Sequence, residues 1–153
     1  KELVPELEKP TKKLDPDYSG QYDFHLDSRI RIEVKASRAV DFESEEALYV
    51  KALSSDSERP FDMNFQQTKP SCCDVFVWIG VWRDKIRYWI LTSDEVAGSK
   101  YFSDRQHRGN VGEGQLHLTR ENVGEFASYE VEARHLLQAI RDAYTRQVRK
   151  RGA

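Results

Sequence analysis

Asp23, Glu33 and Lys35 stand in the stretch YDFHLDSRIRIEVKAS, residues 22–37, among positions that are otherwise mostly apolar and strand-forming. Two acids opposed on neighbouring strands, with Cβ atoms about 4.5–5.5 Å apart, can close around one hard cation with Mg–O bonds of about 2.0–2.1 Å. Magnesium keeps several waters, and one of these, made more acidic by the ion, is a nucleophile for in-line attack on phosphorus. A lysine on the same face would orient that water or stabilise charge in the transition state. The residue types therefore point to hydrolysis of a phosphodiester with Mg2+ as cofactor. The competing explanation is plain: acid-x-Lys is also a common decoration of a solvated strand.

The elements that must position these side chains can be read from alternation. Tyr22, Phe24 and Leu26 share one face, and Ile30, Ile32, Val34 and Ala36 share one face of the next run, the period-2 pattern of a hairpin. With Asp27, Ser28 and Arg29 as a three-residue loop, Leu26 opposes Ile30, Phe24 opposes Ile32 and Tyr22 opposes Val34. One face is then wholly apolar. The other sets His25 against Arg31 and Asp23 against Glu33, with Lys35 two residues on. Like charges directly opposed destabilise a strand pair, so this register calls for something positive between the two acids.

Beyond the hairpin, residues 1–9 form a poor helix because Pro5 interrupts it, and 10–20, with Pro10, Pro16 and Gly20, form a loop. Residues 42–53 have helix-like spacing of Phe42, Leu48, Tyr49 and Leu53. The run 74–82 is apolar throughout most of its length, as in a strand covered on both faces, and 86–91 follows it as a second strand. Ser93 or Asp94 caps a helix start at 93–96. Residues 98–117 hold Gly98, Gly109, Gly112 and Gly114 and predict a long loop, which is more often functional than idle. Residues 129–148 give the clearest helix. The order predicts an α/β fold with a central mixed β-sheet flanked by helices.

The chain of 153 residues suits one domain over 1–153, and its three Trp, seven Tyr and seven Phe argue for a folded protein. It opens on Lys1 rather than Met, so upstream residues are expected to be missing. A net charge of −2 gives no support for binding nucleic acid or membrane by bulk electrostatics; a polyanion would have to meet a local patch. The basic run at 146–151 is expected to be a solvated tail. The adjacent Cys72 and Cys73 suit no ordinary disulfide or zinc ribbon, and no run approaches the roughly 18 apolar residues of a membrane span. A cytoplasmic protein without a membrane partner is expected. Trp78, Trp82 and Trp89 belong to the core, His25 to a partly exposed strand, and His117 and His135 to structural positions.

YDFHL, the ten or so residues of hairpin and IEVKAS together resemble the core of the PD-(D/E)xK nuclease superfamily, the restriction-endonuclease-like fold. The resemblance implies that Asp23, Glu33 and the carbonyl of Val34 bind magnesium and that Lys35 acts on the attacking water. FQQTKP before CDVFVWIGVW is similar to the Gln-bearing turn ahead of a core strand in many restriction enzymes, which gives Gln66 or Gln67 a catalytic positioning role, with Lys69 beside it as a nucleic-acid contact. In the glycine-rich loop, Arg105, His107 and Arg108 are candidates for phosphate or base contacts, since arginine forks suit both. Two departures stand out: Tyr22 precedes Asp23 where the motif has Pro, and Pro16-Asp17 offers a rival acid in a loop. The family's acid on a preceding helix finds only Glu2, Glu6 and Glu8.

The function expected is a magnesium-dependent DNA endonuclease, most simply of the type II restriction kind. It would act as a homodimer or as a domain of a larger restriction or repair protein. A repair or recombination nuclease of the same fold is the nearest alternative. A non-catalytic nucleic-acid-binding domain is another, and an ordinary structural α/β domain with a decorated hairpin is the last.

Overall fold

The computed structural model describes residues 1–104 and 113–152. In chain order its strands are β1 (Phe24–Leu26), β2 (Ile30–Arg38), β3 (Val40–Asp41), β4 (Phe61–Thr68), β5 (Val75–Val81), β6 (Ile86–Thr92), β7 (Phe102–Ser103), β8 (Gly114–Thr119) and β9 (Glu130–Val131). The helices are α1 (Leu48–Lys51), α2 (Ser93–Ala97) and α3 (Leu136–Gly152), with short 3-10 turns between. The strands form two sheets, one of order β1-β2-β5-β6-β9 and one of order β3-β4-β8-β7.

The five-stranded sheet is mixed, because β2 and β5 run parallel while its other neighbours are antiparallel. Parallel neighbours need a long crossover. Here the crossover from Arg38 to Val75 is filled by β3, α1, β4 and a 3-10 turn at Pro70–Cys72 instead of a packed helix. It lays β4 on one face of the first sheet, where β8 joins it to make the second.

Alternation along each strand separates the two sides. Ile30, Ile32, Val75, Val77 and Ile90 pack with Leu136, Ile140 and Ala143 of α3 and with Val4 and Leu7. Phe76, Trp78, Trp89 and Leu91 pack with Phe61, Met63 and Phe65 of β4 and Leu116 and Leu118 of β8. Burying each such side chain contributes about 1.5–3 kcal/mol. The Trp78 ring stacks on Phe65, centroids 4.8 Å apart at 13°. Gly80 leaves room for this packing: a Cβ there would lie 2.8 Å from Met63 Sδ of the second sheet and 2.9 Å from the Trp82 and Trp89 rings.

The mixed sheet agrees with expectation, but helices do not flank both its faces. One face is covered by α3 and the other by the second sheet. Residues 42–53 yield only the four-residue α1, with Phe42 71% and Tyr49 76% exposed; their helical spacing has no layer to pack against. Thr92, rather than Ser93 or Asp94, caps α2, in a capping box with Glu95. The stretch 98–117 contains β7 and the start of β8, and the helix read from 129 begins at Leu136 after β9 and a 3-10 turn.

The basic C-terminal run is part of α3, not a solvated tail. Arg146 pairs with Glu95 and Arg151 with Asp94, and the buried Gln147 accepts hydrogen bonds from Ser93 Oγ and the Asp94 amide. His25, expected to be partly exposed, is buried: its backbone exchanges hydrogen bonds with Glu8 and its ring lies against Tyr22.

Candidate functional site

The hairpin register is the one predicted, with Phe24 opposite Ile32, His25 opposite Arg31 and Leu26 opposite Ile30. Asp27 and Ser28 in its loop adopt left-handed backbone, φ 53° and 56°. The ladder stops at Phe24, so Asp23 and Glu33 are not a paired rung. Asp23 turns inward instead: its amide bonds the Ile32 carbonyl, and its Oδ2 accepts the Val34 amide at 2.8 Å. Backbone groups alternate along β2, so the Val34 carbonyl points to the β1 side, beyond the last rung.

Arg31, Glu33 and Lys35 alternate with the apolar residues facing α3, so they project toward the second sheet. That sheet is why Glu33 is half-buried. Burial pushes its carboxyl above the usual range, the Asp23 carboxylate pushes it further, and Lys35 offsets part of the rise. Lys35 Nζ lies 3.4 Å from Glu33 Oε1 and donates to the Gln67 carbonyl at 3.0 Å.

Gln67 owes this position to a β-bulge. The β4–β8 register shifts between Phe65 and Thr68, both buried, leaving Gln66 and Gln67 together on the outside. Gln67 takes φ 51° there, the left-handed region that a side chain makes unfavourable. Such bulges re-aim a chain next to functional sites, and this one delivers a carbonyl to Lys35.

Glu33, Lys35, Gln67, Lys69, Cys72 and Glu113 line a cleft of about 400 Å³, within the size range of ligand sites. Four of the residues singled out from sequence, Glu33, Lys35, Gln67 and Lys69, thus meet in one place, from two separate segments. Asp23 lies beside the cleft through its effect on Glu33 but is not part of its wall. Arg105, His107 and Arg108 fall outside the described residues. Among the described residues no group of three His, Cys, Asp or Glu side chains is placed to hold a metal.

Sequence reasoning missed Glu113, which immediately precedes β8, and gave Cys72 no place in the site. Cys73 is buried and its thiol is pushed far up; the thiol of Cys72 is lowered, chiefly by its hydrogen bond with Cys73. Neither residue carries a motif, and only the return of the chain from β4 to β5 sets Cys72 against Glu33. Asp74, which immediately precedes β5, accepts from the Arg31 amide, Nε and Nη2 at 2.9, 3.3 and 3.1 Å.

A second hollow, beside α2, is lined by Asp94, Glu95, Lys100, Tyr101 and Glu125. Most of its charges are paired: Lys100 with Glu125, and Asp94 and Glu95 with arginines of α3, while Lys150 also lines it. No helix among the described residues is long and apolar enough to cross a membrane. No family model matches the chain, and neither the curated proteins nor the solved structures returned a significant match.

Proposed function

We propose that the protein is a magnesium-dependent DNA endonuclease of the restriction-endonuclease-like, PD-(D/E)xK type, acting in the manner of a type II restriction enzyme. The observation that carries this reading is the cleft in which Glu33 and Lys35 of β2 meet the bulged Gln67 and Lys69, with the Asp23 carboxylate close enough to raise the pKa of Glu33.

The residues present suit a magnesium ion. Asp23 and Glu33 repel each other with only Lys35 in partial compensation, a balance that a divalent cation would reverse. Asp23 Oδ1, Glu33 and the Val34 carbonyl would hold it, and two carboxylates are an adequate set for an ion that retains waters. Bound there, magnesium would supply an acidified water and neutralise charge on the phosphoryl oxygens. Lys35, fixed by the Gln67 carbonyl, orients the attacking water and stabilises negative charge as it develops. Lys69, exposed at the cleft mouth, takes a neighbouring phosphate and sets the register of the strand. Cutting both strands of a duplex would take a second copy of the site, and so a homodimer.

One observation favours a non-catalytic nucleic-acid-binding domain as the second reading: Asp23 Oδ2 is already engaged by the Val34 amide. Incubation of the purified protein with supercoiled plasmid separates the two. Nicking that requires magnesium, stops with EDTA and falls at least about 100-fold in Lys35→Ala is the expected result. No cleavage by the unaltered protein, together with no heat of magnesium binding, removes the catalytic reading.

A further inference from the structure

Seven large apolar side chains among the described residues are exposed, and four of them, Phe42, Leu48, Tyr49 and Val50, fall within nine residues of chain. Scattered singly, exposed apolar groups are ordinary; gathered together they mark an interaction surface. Phe42, Leu48, Tyr49 and Leu53 have helix-like spacing, yet of the four only Leu53 packs against the core. An apolar face is present, and this chain supplies no layer for it.

The segment is held in place at both ends. The Val40–Ala52 bridge and the Leu53 amide, which donates to the Ala39 carbonyl at 2.9 Å, tie its ends together and close residues 41–51 into a compact loop of the Ω type. The buried Asp41 accepts from the Glu43 amide at 3.0 Å and from Arg59, and Arg83 donates to the Val50 carbonyl at 2.8 Å. A loop fixed in this way loses little conformational freedom when a partner binds. With Pro60 and Phe61, Phe42 also walls a hollow of about 120 Å³, a seat for one apolar side chain.

Charge selects the partner. Glu43, Glu45 and Glu46 stand exposed in the same segment, and Lys51 is the one cation of the sequence 41–51. Glu43 meets Arg59 at 3.8 Å, whereas Glu45 and Glu46 have no ion pair among the described residues. Three acids repel the phosphates of nucleic acid and the anionic surface of a membrane. They attract lysine and arginine, and complementary charge around an apolar patch decides which partner is accepted. The Val40–Ala52 bridge already occupies the edge of β3, which leaves side chains rather than a strand edge for the partner to use. We propose that residues 42–50 dock a basic amphipathic helix of another protein, its apolar side chains meeting Phe42, Leu48 and Tyr49 and its lysines or arginines meeting Glu45 and Glu46. None of these residues lines the cleft, so this recruiting surface is independent of the chemistry there.

The test uses two labelled helical peptides with the same leucine face, one carrying lysine and the other glutamate on its polar face, titrated with the full chain by fluorescence anisotropy. The unaltered protein should bind the lysine peptide and not the glutamate peptide. Tyr49→Ser should weaken lysine-peptide binding at least about tenfold, and Glu45→Lys combined with Glu46→Lys should reverse the preference between the peptides. All three positions are exposed, so the variants should melt with the unaltered protein. Equal binding of both peptides, no binding of the lysine peptide, or lysine-peptide binding that Tyr49→Ser leaves unchanged overturns the proposal. Self-association of the unaltered chain that Tyr49→Ser abolishes in sedimentation would assign the patch to a second copy. Adsorption to neutral lipid vesicles lost in the same variant would assign it to a membrane surface, and either result overturns the proposal as well.

Discussion

Strand β2 carries two acid–base arrangements within five residues, and they are built to opposite ends. Arg31 and Asp74 form a fork in which one carboxylate accepts the Arg31 amide and two guanidinium hydrogen bonds. It ties the start of β2 to the residue just before β5, next to the first rung of their parallel ladder, Ile32 opposite Val75. Glu33 and Lys35 are looser: their charges stand 3.4 Å apart, Lys35 is shared with the Gln67 carbonyl, and Glu33 faces a second acid. A satisfied pair adds stability and specificity of register. An unsatisfied one stores unfavourable charge that a ligand can relieve, which is why perturbed groups in clefts mark functional sites.

The largest stability effect expected from this contrast belongs to the fork. Asp74→Ala leaves the Arg31 amide and guanidinium without partners and should lower unfolding free energy by about 2–3 kcal/mol. That is less than the roughly 3–5 kcal/mol of a wholly buried pair, because the Arg31 side chain is 38% exposed. Denaturant titration measures it; a loss below about 0.5 kcal/mol would mean that the fork is decoration.

Glu33→Gln should act in the other direction. The raised Glu33 carboxyl binds its proton more tightly folded than unfolded, so the folded chain holds more protons between the ordinary glutamate value and the raised one. Stability then falls as pH rises through that interval. Without divalent metal the Gln variant should be more stable at neutral pH by something on the order of 1 kcal/mol, an advantage that fades toward pH about 4.3. Thermal melts across pH show it. A destabilised variant at neutral pH would place Glu33 in the same class as Asp74.

The smallest effect sharpens the role of the bulge. Gln67→Gly removes the left-handed strain and should stabilise the fold by up to about 1 kcal/mol, while keeping the carbonyl that holds Lys35. Full plasmid cleavage in this variant would assign Gln67 to positioning through its backbone. A loss of more than tenfold would show that its side chain also acts at the cleft.

The hairpin was legible because period-2 alternation over residues 22–36 leaves one register that buries an apolar face, and the structure adopts that register where the strands pair. The side chains of Glu33 and Lys35 follow from it at once. Asp23 was misplaced as a rung partner because alternation says nothing about where a ladder ends. Residues 42–53 misled for a related reason: apolar spacing predicts a helix only if a layer exists to receive it, and none covers Phe42 or Tyr49.

By itself the sequence determined the local terms: the turn at 27–29, the apolar runs of β5 and β6, the aromatic core and the helix closing the chain. It also determined that two acids and a lysine would lie near one another on a single hairpin, because neighbours a few residues apart are set by backbone period alone. Only the tertiary structure decided that a second sheet, not a helix, covers the acid face. Its β4 bulge brings Gln67 to Lys35 across 32 residues, and its return to β5 brings Lys69 and Cys72 to the same wall. Those meetings depend on long-range packing between sheets, where the burial of Met63, Phe65, Trp78 and Trp89 outweighs any local preference.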